Sequence, residues 1–237
     1  MSRKKLIITS AILAAVLLIG GLLAYFTDTT ETKTNVFTVG DKVDIKLNET
    51  WNENDGLGIA TGETKTKQPT IENIGGNDAY VFMKVSVPKY YDAVESAWVQ
   101  AFTYTVNNGW SQVASKTTDK NANVYVYAYA TAADTGTMTK LDKKTTPAGQ
   151  KGPETTALFN EVVFLQGKDK NAFEFNVVDS MPAENPTVTT VLNRMNIDIT
   201  GYAIQTTGLT KTTNSSEAAT TAQDIYACLA QELDLTL

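Results

Sequence analysis

The side chains able to do chemistry in this chain of 237 residues are few, and the type that is missing matters first. There is no histidine. Imidazole general bases, Ser-His-Asp and Cys-His centres and the HExxH zinc site are thereby all excluded. Glu161, Asp179, Glu184 and Asp198 are available for a hydrolytic acid pair. No spacing among them makes two of them meet, and their ordinary place is on solvated strand edges and loops. Cys228 is the single cysteine, so no intrachain disulfide can form. Near the apolar face of a helical pattern, it reads as a buried, inert thiol. Asn52, Glu53, Asn54, Asp55 and Gly56 invite a calcium reading. No acid stands where the bidentate ligand of an EF-type loop belongs, so a polar hairpin loop is the better reading. Tyr125, Tyr127 and Tyr129 alternate with Val124, Val126, Ala128 and Ala130. Such a stripe is either an aromatic face on which sugar rings stack or one packed side of a strand. No catalytic, cofactor or metal site is expected.

The elements that position these residues are mostly strands. Val43, Ile45 and Leu47 alternate with Asp44 and Lys46, the period-two pattern of a half-buried strand. Further strands are expected at Pro69 to Ile74, Ala79 to Val87, Phe102 to Val106, Val124 to Ala130, Ala157 to Leu165, Ala172 to Val178 and Met195 to Ile204. Pro88 should end the second of these. Residues 90–99 carry Tyr91, Val94 and Trp98 at helical spacing and predict a short helix. Residues 131–156 hold few large apolar groups and predict a surface insertion, loosely ordered and contributing little to a core. From Asn214 to Leu233 the recurrence of Ala218, Ala222, Ile225, Tyr226, Leu229 and Leu233 predicts a helix, with Asn214 and Glu217 as its capping pair.

Thr occupies 36 positions, which suits strands with one face in water. Together with 42% hydrophobic residues it points to a single β-sandwich of jelly-roll type over residues 35–237. Arg3, Lys4 and Lys5 precede an uncharged run, residues 6–24, in the manner of a secretory signal. Gly20 and Gly21 break its helix and Ala24 offers a small residue, so cleavage between Ala24 and Tyr25 is expected. The run is also nearly long enough to cross a bilayer, which leaves retention as the alternative. Losing residues 1–24 removes three cations and no anion, carrying the mature chain below the −6 of the whole. Such a surface disfavours nucleic acid, and the membrane enters only through the signal before cleavage.

Four blocks in order, "LLAYFTD", "TNVFTVGDKVDIKL", "NIGGNDAYVFMKVSVP" and "NIDITGYAIQTTGL", resemble the TasA/camelysin-like family, secreted with SipW-type signal peptides by Gram-positive bacteria. The resemblance implies a jelly roll, processing by a SipW-type signal peptidase and, as in TasA-like members, assembly into extracellular biofilm matrix fibres. Camelysin-like members carry a metalloprotease label. With no histidine, a zinc site would have only carboxylates and Cys228, a poor ligand set, so protease activity is not expected.

Residues 25–34 are expected to be a flexible segment of the mature protein. Tyr25 and Phe26 are candidate anchors, Thr27 to Thr34 a solvated spacer, and Val36, Phe37 and Val39 apolar strand positions. Fully extended, the spacer would reach about 26 Å, enough to meet a neighbouring molecule. One reading makes this a donor strand that completes a neighbour's sheet head-to-tail, with the partner another copy or a related matrix subunit. The other makes Asn35 to Val39 the first strand of its own sheet behind a frayed end. A surface module that binds glycan or protein through the tyrosine stripe is the remaining class.

Overall fold

The computed structural model describes residues 43–51, 60–92, 97–118, 122–131, 136–164 and 197–233. The expected cleavage site, the donor segment, the Asn52 to Asp55 loop, Asp179, Glu184 and the strand at Ala172 to Val178 lie outside them.

The chain is mostly β, with antiparallel sheets packed face to face as a β-sandwich. Its centre is β4 (Ala79–Asp92), flanked by β10 (Asp198–Gln205) on one side and β8 (Ala122–Tyr129) on the other, with β7 (Trp110–Lys116) beyond β8. Alternation along β4 decides which side faces what. Val81, Met83, Val85 and Val87 are fully buried on the inner face, as their spacing predicts. Phe82 points the other way, into a second apolar cluster built with Tyr202, Ile204, Val126 and Ala128. That outer face is covered by α1 (Ala222–Leu233), which lays down Ala222, Ile225, Tyr226 and Leu229. Burial of Ile225 and Leu229 contributes about 1.5–3 kcal/mol each.

The inner face is closed by two smaller sheets. One pairs β1 (Ile45–Thr50) with β3 (Gln68–Asn73), and the other orders β2 (Thr64–Thr66), β9 (Glu161–Phe164) and β6 (Phe102–Thr103). Gly201 on β10 lets the first of these come close. A Cβ there would stand in ordinary contact, 3.4 Å from Ile71 Cδ1 and 3.5 Å from Ile45 Cδ1, so a side chain extending beyond its Cβ would pry the layers apart.

Four expectations are corrected. Residues 90–92 and 97–99 are strand rather than helix. β4 runs on to Asp92 and folds back as β5 (Ala97–Gln100), pairing Tyr91 with Trp98. Nor does Pro88 stop the strand. It sits where β4 passes from one partner to the next, since β8 pairs with β4 as far as Pro88 and β5 begins at Lys89. A residue without an N–H is tolerated at such a handover. The C-terminal helix begins at Ala222 rather than Asn214. Asn214 and Glu217 do bond at 2.9 Å, but within a turn closed by Lys211, whose N–H donates to the Glu217 carbonyl. Thr221 is the actual cap, its Oγ1 accepting from Asp224 N at 3.1 Å. Finally, the described part of the polar 131–156 segment does reach the core, through buried Met138 and Leu141.

Candidate assembly surface

Tyr127 is only 5% exposed, and the tyrosine stripe lies between the layers of the sandwich. Its hydroxyl meets that of Tyr104 at 3.0 Å, Tyr104 stacks on Phe159 at 4.5 Å, and Tyr129 packs on Trp110 at 5.1 Å. Tyr125 donates to Gln100 Oε1. Burial raises both the Tyr104 and the Tyr127 hydroxyls above the ordinary phenol value, so neither ionises at neutral pH. The stripe therefore packs on protein and leaves no flat platform for a sugar ring at Tyr127. The signal that would have distinguished the two faces is Tyr104 and Phe159, far away in sequence.

The other candidates stay apart. Glu161 on β9 and Asp198 at the start of β10 belong to different sheets. Cys228 is buried, with Sγ 3.0 Å from the Thr210 carbonyl oxygen. Among the described residues, no three His, Cys, Asp or Glu side chains converge as metal ligands, and no helix is long and apolar enough to cross a membrane.

What the tertiary structure does bring together is an edge region around β1 and β3. β1 is the first described strand, and among the described residues it pairs only with β3. The register sets Asn48 opposite Thr70 and Lys46 opposite Glu72 on the face away from the core. On the far side of β3, residues 153–158 run alongside as a partial strand. Asn73 N–H donates to the Pro153 carbonyl at 2.8 Å, Thr155 N–H to that of Ile71 at 2.9 Å, and Leu158 N–H to that of Pro69 at 3.0 Å. Glu154 thereby faces Glu72 across an antiparallel bridge.

Two like charges in that position repel unless something neutralises them. The Asn48 amide donates to both, 3.1 Å to Glu72 and 2.9 Å to Glu154. The second Glu72 oxygen accepts Gly152 N–H at 2.7 Å, while Glu154 also accepts the Thr70 hydroxyl at 2.7 Å and pairs with Lys151. Burial works against both charges but is outweighed. Glu72 is held below the ordinary glutamate value by Gly152 N–H and Asn48, with Lys46 and Lys144 nearby. Glu154 is held down by Lys151, Asn48 and Thr70. No spacing rule pointed to this pair, because its partners come from three separated stretches.

A buried asparagine ties the same region down. Asn73, fully buried, sends its amide to the carbonyls of Asn77 (2.8 Å), Leu141 (3.3 Å) and Asp142 (3.0 Å). Its Oδ1 accepts Gly75 N–H at 2.9 Å. At the other end of β3, Lys67 is buried against Glu49 at 2.8 Å and lies over the Trp51 ring at 4.8 Å.

Residues 2–95 match the model of a family described as camelysin metallo-endopeptidase. The N-terminal part of this chain is similar to that family, in keeping with the resemblance read from its sequence. Neither a curated protein nor a solved structure matches it. The camelysin-family match takes in β1, β2, β3 and all of β4, so it includes the Asn48, Glu72 and Asn73 side of the edge region but not residues 141–158.

Proposed function

We propose that this chain is a secreted structural subunit of extracellular matrix fibres, assembling by strand addition. The observation that carries the reading is the position of β1. It follows directly on the segment bearing Tyr25, Phe26, Val36, Phe37 and Val39, and among the described residues only one of its edges is paired. A strand in that position can extend into a neighbour's sheet, and because donor and acceptor are different surfaces the contact repeats without closing. The lack of histidine, which removes the usual catalytic alternatives, supports the reading. The partner is another copy or a related matrix subunit. Processing falls to a SipW-type signal peptidase between Ala24 and Tyr25.

The test is negative-stain imaging of the exported chain and of one lacking residues 25–34. Filaments from the first and folded monomers from the second are expected. Equal filament formation by both would remove the donor segment from the mechanism. The family description favours a second reading, an endopeptidase. Casein cleavage that stops on adding a chelator would put it ahead of the structural one.

A further inference from the structure

Residues 142–155 cover one edge of β3 and are fastened there by charged groups rather than by apolar burial. Residues 145–151 are exposed, and the buried apolar anchors, Leu141 and Leu158, lie on either side of the stretch. Residues 142–144 are held by the Asn73 amide on the Asp142 carbonyl, Lys143 N–H on the Asp78 carboxylate and Lys144 N–H on the Gly75 carbonyl. The rest of the stretch is held by Glu72 and Glu154 clasping the Asn48 amide, the Thr70 hydroxyl on Glu154, Gly152 N–H on Glu72, Lys151 on Glu154, the Thr155 hydroxyl oxygen on Ile71 N–H, and the backbone bonds to Ile71 and Asn73. We propose that this stretch is an acid-released strap: protonation of Glu72 and Glu154 frees it from β3 while the sandwich stays folded, baring a second sheet edge to which a strand of another copy can pair.

The charges facing the pair make release one-directional. Lys46 comes from β1, Lys144 and Lys151 from the strap itself. Neutralising the two carboxylates weakens the Gly152 and Lys151 contacts and leaves three cations close together. Both carboxylates have folded values below their ordinary ones. Their contribution is therefore complete above the ordinary glutamate range and lost as pH falls through the lowered values. With no histidine in the chain, no side chain with an ordinary pKa between about 5 and 8 can trigger the strap earlier. Gly152 shows how closely the strap is seated, since a Cβ there would lie 2.1 Å from the Asn73 carbonyl oxygen. The covered groups are the β-ladder atoms of Ile71 and Asn73, the kind that a new strand pairs with.

The pairing half of this proposal rests on the assembly reading above, whereas strap release is read on the monomer and stands independently. The experiment follows amide exchange in the full chain from about pH 7 to about pH 3.5, expressed as protection factors to remove the intrinsic pH effect. The amides of Asn73, Gly152 and Thr155 should lose about tenfold protection or more, with Val85 and Tyr127 unchanged. Glu72→Gln and Glu154→Gln should show fast exchange at Gly152 already at neutral pH, and a flatter pH dependence. Loss in step with Val85, or full pH dependence in both glutamine variants, would overturn the strap. Sedimentation velocity of the same samples should show concentration-dependent association in acid; a loosened strap on a persistent monomer would overturn the pairing half.

Discussion

Replacing Asn73 by Ala should destabilise the fold far more than the loss of one polar side chain suggests. The amide serves three carbonyls with two hydrogens and its oxygen holds Gly75 N–H, all in a position with no exposure. A typical hydrogen bond contributes about 1 kcal/mol net, and a buried group left without its partner costs about 1–3 kcal/mol. Two donor bonds and one acceptor bond are lost. The Leu141 carbonyl keeps Ala79 N–H at 2.9 Å and Gly75 N–H keeps the Asp44 carbonyl at 3.0 Å, so neither is left without a partner. The sum is roughly 3 kcal/mol. Urea unfolding followed by tryptophan fluorescence would read this directly. With an m value of about 2 kcal/mol per molar, the midpoint should fall by about 1.5 M. Asn77→Ala is the control, because Asn77 contributes its backbone oxygen there, and it should move the midpoint by no more than about 0.3 M. If Asn73→Ala behaved like the control, the junction of β3 with residues 141–142 would not be a structural hub, and the reasoning would be wrong.

Three further outcomes follow from the same geometry. Gly152→Ala places a methyl against backbone and should cost about 2–4 kcal/mol in the same unfolding assay; an unchanged midpoint would mean that the strap does not sit on β3. Tyr127→Phe should cost about 1 kcal/mol by orphaning the Tyr104 hydroxyl, and Tyr127→Ala about 3–5 kcal/mol through a cavity between the layers; a near-neutral alanine variant would return the stripe to the surface. Thr221→Ala should lower helix stability by about 1 kcal/mol, whereas Asn214→Ala should leave α1 intact, with exchange of the first-turn amides as the readout.

Much of the architecture was legible from residue order alone. Val81, Met83, Val85 and Val87 announce an inner face because side chains along a strand alternate, and that rule is local. The same holds for Ile225, Tyr226 and Leu229, whose spacing marks a helical stripe wherever the helix is docked. Errors arose where local patterns were ambiguous. Tyr91 and Trp98 fit a helical period and a strand pair equally well over so short a stretch, and only the partner across the hairpin chose between them. The Asn214 and Glu217 pair forms as expected, yet Ala219 N–H bonds to the Leu209 carbonyl, which holds the chain out of the helix until Thr221.

The strand-rich class, the acidic surface and the absence of imidazole chemistry were determined by composition and short-range order, which no folding can alter. Tertiary structure alone decided that the tyrosines lie inward, that Glu72 and Glu154 face each other, and that Asn73 holds residues 141–142 to β3. Each of those depends on groups distant along the chain, and the free energy of such a contact exists only once packing has excluded water from around it.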